Sequence, residues 1–231
     1  MVDDILKTLE KRSGKIGAQE LLTDVFTCGA IAISNRFDHR NAERREEQYL
    51  NIIKKHDKGT QALIIEIFTM IYELLTRQTY DNVRFNDYLG ELYMRSNTSN
   101  SKAGQFFTPY SIAKLAAELC IDKAALNETM ETDGVLRIDE PTCGSGGMII
   151  AIVDILCSQY GFNFARNLLV TCSDIDIRCV HMAYLQLGLA GIPAVVMHQD
   201  TLTLETWDLW ETPAYIMQWP RFKRIEAKHD G

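Results

Sequence analysis

Residues 135–147 read VLRIDEPTCGSGG, a short β-rich run that ends in an acid, a proline turn and a glycine-rich loop. VLRID (135–139) predicts a strand, and GGMIIAIVDILCSQYG (146–161), apolar on most sides and closed by Gly161, predicts the helix that follows it. A glycine loop between a strand and a helix lets backbone approach a ligand, and the helix start offers unpartnered N–H groups. Gly144, Gly146 and Gly147 carry that role in EPTCGSGG (140–147), with Thr142 inside the same loop. No Lys-Ser/Thr follows, so the loop is not a phosphate-cradling P-loop. The spacing is not G-x-G-x-x-G, so no dinucleotide is implied. An acid at Glu140 would repel phosphate and pair with a cationic ammonium. The bland alternative is a turn that serves tight packing alone.

Downstream the alternation continues. LLVTCS (168–173) is an apolar, β-rich run, DIRCVHMAYLQLGLAG (176–191) predicts a helix, and AVVMH (194–198) predicts a third strand. Strand–helix–strand–helix–strand with short links predicts right-handed crossovers and a parallel, doubly wound sheet with helices on both faces. In such sheets ligands bind beyond the carboxyl ends of the strands, which directs attention to the acids found there. Asp174 ends the second strand, where a carboxylate grips ribose hydroxyls, and Asp176 is placed to cap the next helix. Asp200, in HQDTL, can accept a hydrogen bond from an adenine amino group, or can simply cap a turn.

Upstream the chain is helical. TQALIIEIFTMIYELLTRQT places Ile64, Ile67, Phe68, Ile71, Leu74 and Leu75 on one face, and AQELLTDVFTCGAIAIS repeats the periodicity. AERREEQYLNIIKKH and FNDYLGELYMRS add two more helices before the polar run SNTSNSKAG. The expected division is a helical domain over 1–100 and an α/β domain over 101–231. At the junction GQFFTP (104–109) precedes a helix for which Thr108 is the expected N-cap and Pro109 the first residue.

Composition narrows the classes. The 231 residues carry a net charge of −7 with 46% hydrophobic and 24% charged residues, ordinary for a soluble globular chain and acidic for one that binds nucleic acid unaided. Six Cys form no C-x-x-C pair, which suits reduced thiols and gives no metal site. The first residues lack a signal-peptide pattern, and no apolar stretch is expected to reach the roughly 18 residues of a membrane span. The expected location is the cytoplasm.

Taken in order, GQFFTP, EPTCGSGG, SDID and HQDTL resemble the adenine-N6 DNA methyltransferases, especially the modification subunits of type I restriction systems. DYLGELYM resembles the lead-in to that family's first cofactor motif. The resemblance implies a Rossmann-like fold that binds S-adenosylmethionine and transfers methyl to adenine in DNA. By position it places Phe107 and Thr108 near the methionine end, Glu140 at the amino group, Gly144 and Gly146 as close backbone, Asp174 on the ribose and Asp200 on the adenine. The family's Asp stands here as Glu140.

The family next has a fourth strand ending in Asn/Asp-Pro-Pro-Tyr/Phe, the loop that holds the target amine and stacks on a flipped adenine. The nearest match is Thr212-Pro213-Ala214-Tyr215, after TWDLWE. Thr212, Pro213 and Tyr215 are therefore the candidate catalytic residues, in a degenerate motif. A Thr hydroxyl substitutes poorly for an amide or carboxylate acceptor. The competing expectation is that Trp207, Trp210 and Tyr215 cover a sheet edge. The family's further strands and target-recognition region have no counterpart in the sequence. The reading is thus a domain truncated at its C-terminus, whose exposed edge is covered by the tail, the helical domain or another chain, and whose DNA contacts come with a partner subunit's help. A regulator or assembly module that keeps the cofactor pocket without catalysis is the second reading.

Overall fold

The computed structural model describes residues 1–12, 16–80, 85–96 and 107–229, and the first part of GQFFTP, residues 104–106, lies outside them. Five helices come first: α1 (Val2–Arg12), α2 (Ala18–Ser34), α3 (Ala42–Ile53), α4 (Lys58–Tyr80) and α5 (Tyr88–Ser96). The remainder is α6 (Tyr110–Cys120), α7 (Lys123–Thr132), β1 (Leu136–Glu140), α8 (Gly147–Tyr160), α9 (Phe164–Asn167), β2 (Leu168–Asp174), α10 (Ile177–Leu189), β3 (Ala194–Asp200), β4 (Glu205–Glu211) and α11 (Pro213–His229).

The three expected strands form, with the expected parallel pairing. Leu136 stands opposite Leu168 and Val170 opposite Ala194, so β1, β2 and β3 run side by side in that order. Both crossovers step in the same direction, and right-handed connections therefore lay α8 and α10 on one face of the sheet. Side chains at alternate positions (Leu168, Val170, Cys172, Ala194, Val196) are buried toward those helices. Leu169, Thr171, Val195 and Met197 on the other face are only half-buried. The α/β sheet flanked by helices is as expected, and what differs is the double winding. Double winding needs the strand order to reverse, and among the described strands it does not.

The fourth strand departs further. β4 pairs with β3 antiparallel, Trp210 opposite Val196 and Asp208 opposite His198. Only residues 201–204 separate the two strands, and a parallel crossover needs a dozen or more residues, so a hairpin is the available geometry. Leu204 adopts a left-handed conformation at φ 61° to close it. The helical region then anchors β4. Arg45 of α3, fully buried, donates to the Leu209 carbonyl at 2.7 Å and pairs with Asp38 at 3.1 Å and Asp208 at 3.4 Å. Its guanidinium sits 3.9 Å from the Trp210 ring centroid, and Trp210 packs edge-on against His181 and Tyr184 of α10. Arg44 and Arg40 add ion pairs to Asp208 and Glu211.

The core is continuous across the change of pattern near residue 100. One cluster of buried side chains runs from Ile5 and Leu21 through Ile67 and Leu92 to Val180, Val196 and Trp210. α10 is buried over most of its surface because it lies between the sheet and α2. The Lys58–Arg77 segment of α4, contrary to the expectation of no span, is long and apolar enough to cross a membrane by length and composition. In the fold its Leu63, Ile64, Ile67, Ile71, Leu74 and Leu75 are buried in that cluster. α6 begins at Tyr110 with Pro109 in the cap position and no side-chain cap, one residue later than expected, a common margin at helix ends. Asp154 of α8 holds α6 through Lys114 at 2.7 Å and the Tyr110 hydroxyl at 3.3 Å.

Candidate cofactor site

The loop after β1 is shaped by its glycines and stitched to the two neighbouring strands. Gly144 and Gly146 have φ of 55° and 89°, a region that L side chains rarely adopt. A Cβ on Gly144 would lie 3.0 Å from the Phe107 ring, so the loop and the GQFFTP segment meet there. The Pro141 carbonyl accepts from the Ser173 hydroxyl of β2 at 3.0 Å and from the Thr201 hydroxyl after β3. The Cys143 amide donates to the Ser173 carbonyl at 2.8 Å. Sequence reasoning missed Ser173 and Thr201, which look like ordinary small polar residues until three strand ends are brought together.

The acids sit where the strand ends predict. Asp174 accepts from the Gly144 amide at 2.9 Å with one oxygen and from the Asp176 amide at 2.8 Å with the other. An ionised carboxylate has about four lone-pair sites, so donors such as vicinal hydroxyls can still be accepted. Glu140 Oε1 accepts weakly from the amide and hydroxyl of Thr142 at 3.3 and 3.4 Å. Asp200 Oδ1 accepts from the amides of Leu202 and Thr203 at 2.9 and 3.3 Å, so it does cap the turn, at the carboxyl end of β3. Asp176 caps α10 through the Arg178 amide and also pairs with the Arg178 side chain.

Phe107 and Thr108, with Gly90, Met94, Pro109 and Tyr110, line a cavity of about 350 Å³ beside the loop. Three carboxylates therefore end three adjacent strands around a glycine loop and a helix start. That arrangement repels phosphate groups and suits a cationic ligand bearing hydroxyls and an amine. Among the described residues no group of three or more His, Cys, Asp or Glu is placed to hold a metal ion. Cys143, in the loop itself, is buried; the neighbouring Cys172 and desolvation both hold its thiol neutral.

Thr212, Pro213 and Tyr215 are not brought to this site. Because β4 runs antiparallel, its end lies at the amino ends of β2 and β3. There Thr212 is fully buried, its hydroxyl donating to the Ile192 carbonyl at 2.8 Å and accepting from the Ala194 amide at 2.9 Å. Pro213 begins α11 and lies against Gly188. Tyr215 contacts Trp219 and Phe222 of the same helix. The length of the 201–204 link was the signal that excluded a parallel fourth strand. Trp210, expected over the sheet edge, belongs to the edge strand itself and is buried against His181, Tyr184 and Arg45. Trp207 instead lies half-exposed against His198, ring centroids 4.7 Å apart. A larger apolar cavity, about 660 Å³, also opens at this amino end, between Phe68, Tyr72, Gly188, Pro213 and Met217. It is remote from all three strand-end acids.

No curated protein matches the chain. A crystal structure from Listeria monocytogenes, described as a candidate class I S-adenosylmethionine-dependent methyltransferase, is similar with 16% identity and a TM-score of 0.43 over 87% of this chain and 54% of that one. The chain thus spans about half the length of that protein. The family model for N-6 DNA methylase matches residues 84–229, more than half of the sequence and all of the strand-end site. The chain belongs to the N-6 DNA methylase family, and that membership implies S-adenosylmethionine as a cofactor.

Proposed function

We propose that the chain binds S-adenosylmethionine across the carboxyl ends of β1, β2 and β3 and serves methyl transfer to adenine N6 in DNA, in the manner of a type I modification subunit. The observation that carries this reading is Asp174, which fixes the glycine loop through Gly144 while its carboxylate remains at the loop's rim. Asp174 takes the ribose hydroxyls, Glu140 with Thr142 takes the ammonium, and Asp200 takes the adenine amine. Phe107 and Thr108 close the methionine end over Gly144 and Gly146. When bound, the cofactor supplies an electrophilic methyl group on a sulfonium, whose positive charge the acidic strand ends favour.

The other half of the reaction needs an acceptor for the target amine and an aromatic platform for a flipped base. Thr212 at the opposite end of the sheet supports the second reading, a cofactor-binding regulator or assembly module of a modification complex. A net charge of −7 favours a partner that supplies the phosphate contacts. Calorimetric titration with S-adenosylmethionine, followed by tritiated methyl transfer to unmethylated DNA, separates the cases. Binding that Asp174→Ala weakens, together with DNA methylation, establishes the first. Binding without methylation, alone and with the partner subunit, leaves the second. No binding refutes the pocket.

A further inference from the structure

Asp87 precedes α5 and lies outside every strand-end position, yet it is a buried carboxylate, 6% exposed, reaching the glycine loop. One oxygen accepts from the Ser145 hydroxyl at 2.7 Å; the other accepts from the Gln186 side chain at 2.8 Å and the Gly90 amide at 2.9 Å. Gln186 of α10 is itself fully buried. It donates to the Ser145 carbonyl at 2.7 Å and accepts from the Leu89 amide at 3.2 Å. Both the main chain and the side chain of Ser145, between the two left-handed glycines, are thus held, by Gln186 of α10 and by Asp87 at the start of α5. Burial raises the proton affinity of Asp87, opposed by these three donors.

Two glycines fit this carboxylate rather than a ligand. A Cβ on Gly90 would lie 2.2 Å from Asp87 Oδ2, and one on Gly147 would lie 2.6 Å from the same oxygen. Neither has positive φ, so neither is needed for backbone conformation. In the interior of α5 a glycine is less favourable than an alanine. The sequence reading gave Gly147 to the ligand; its bare Cα faces Asp87 instead.

We propose that Asp87 is a positioning residue that clamps the glycine loop of the cofactor site onto α5, making the loop's shape depend on the docking of the helical region. The proposal rests on reading that loop as the S-adenosylmethionine site. Without the clamp, Ser145 and Gln186 lose a buried acceptor and the loop loses its fixed path. The cofactor then meets a site that must be ordered on binding.

The test uses the full chain with Asp87→Ala and Asp87→Asn. Hydrogen–deuterium exchange on the unliganded protein is read over residues 143–148 and 88–93, and S-adenosylmethionine affinity is read by calorimetry. Asp87→Ala is expected to raise exchange in both segments together and to weaken binding about tenfold or more. Asp87→Asn keeps an oxygen for Gln186 and Gly90 and turns an amide toward Ser145, whose hydroxyl can rotate to accept; it is expected to stay within about threefold of the parent. A role in stability alone would lower the melting temperature and leave the affinity of the folded protein unchanged. Folded Asp87→Ala with the parent's loop exchange overturns the clamp. If Asp87→Ala does not fold, Ser145→Ala removes one donor only, and unchanged loop exchange there overturns the clamp equally. A parent chain that binds no S-adenosylmethionine refutes the cofactor reading, while the exchange comparison still decides the clamp.

Discussion

At the carboxyl ends of the strands, Asp174 holds Gly144 with one oxygen and the Asp176 amide with the other, beside an open loop. At the amino ends, Thr212 gives its hydroxyl proton to Ile192 and accepts the Ala194 amide, fully buried. Both are polar side chains at strand termini, and both were candidates on position. The difference lies in what surrounds them. Asp174 faces a loop bent by Gly144 and Gly146, where backbone is free to meet a ligand, whereas Thr212 faces backbone that needs its hydroxyl. A polar residue at a strand end becomes a site only where the fold leaves acceptor or donor capacity unmatched.

The contrast can be attacked at the strand that creates it. Arg45→Met removes the buried cation that holds β4, leaving Asp38 and Asp208 without it. Stripping one partner from such a pair costs about 3–5 kcal/mol, so urea denaturation is expected to show the largest loss of stability here. A loss under about 1 kcal/mol would mean that the network does not seat the strand. Asp174→Ala acts at the other end. It is expected to weaken S-adenosylmethionine binding by about 1.5–3 kcal/mol through lost hydrogen bonds to a charged group, measured by calorimetry.

Thr212→Val is the mirror experiment. Leaving the Ala194 amide without its acceptor costs about 1–3 kcal/mol of stability, read from the denaturation midpoint, and is expected to leave cofactor affinity untouched. A change in affinity without one in stability would return Thr212 to the active site. The smallest effect per step is electrostatic. Burial lowers the pKa of His181, packed against Trp210 and hydrogen-bonded to Thr27, to about 3 from 6.5. The unfolded chain therefore takes up a proton below pH about 6.5 that the folded chain refuses until pH about 3. Stability contributed by this group is full above that window and falls as pH drops through it, by up to about 1.4 kcal/mol per unit. His181→Gln is expected to flatten this slope in denaturation curves recorded between pH 4 and 7, provided the variant folds.

Much of the site was legible because its signals are local. VLRID, the glycine loop and the acids that follow each strand announce themselves within a few residues. The strand directions of β1 to β3 follow from link lengths. β4 was misplaced because the family pattern outweighed a four-residue link, and because its anchor, Arg45, comes from a helix over 150 residues earlier. Asp87 was unreadable for the same reason: Ser145 and Gln186 lie 58 and 99 residues away in sequence. In a charged segment such as FNDYLGELYM, nothing local separates a buried clamp from a surface acid.

Among the described strands β1 pairs only with β2, so one side of it presents an unmatched row of amides and carbonyls. Such a row recruits any extended peptide, including another copy of the same strand, and is a common seed of aggregation. β1 is only five residues long, with Arg137 and Asp139 projecting from its exposed face, features that discourage stacking. Handling of the purified chain should follow from this: light scattering is expected to rise with concentration and with salt that screens those charges, and to fall when a partner or added strand caps the edge.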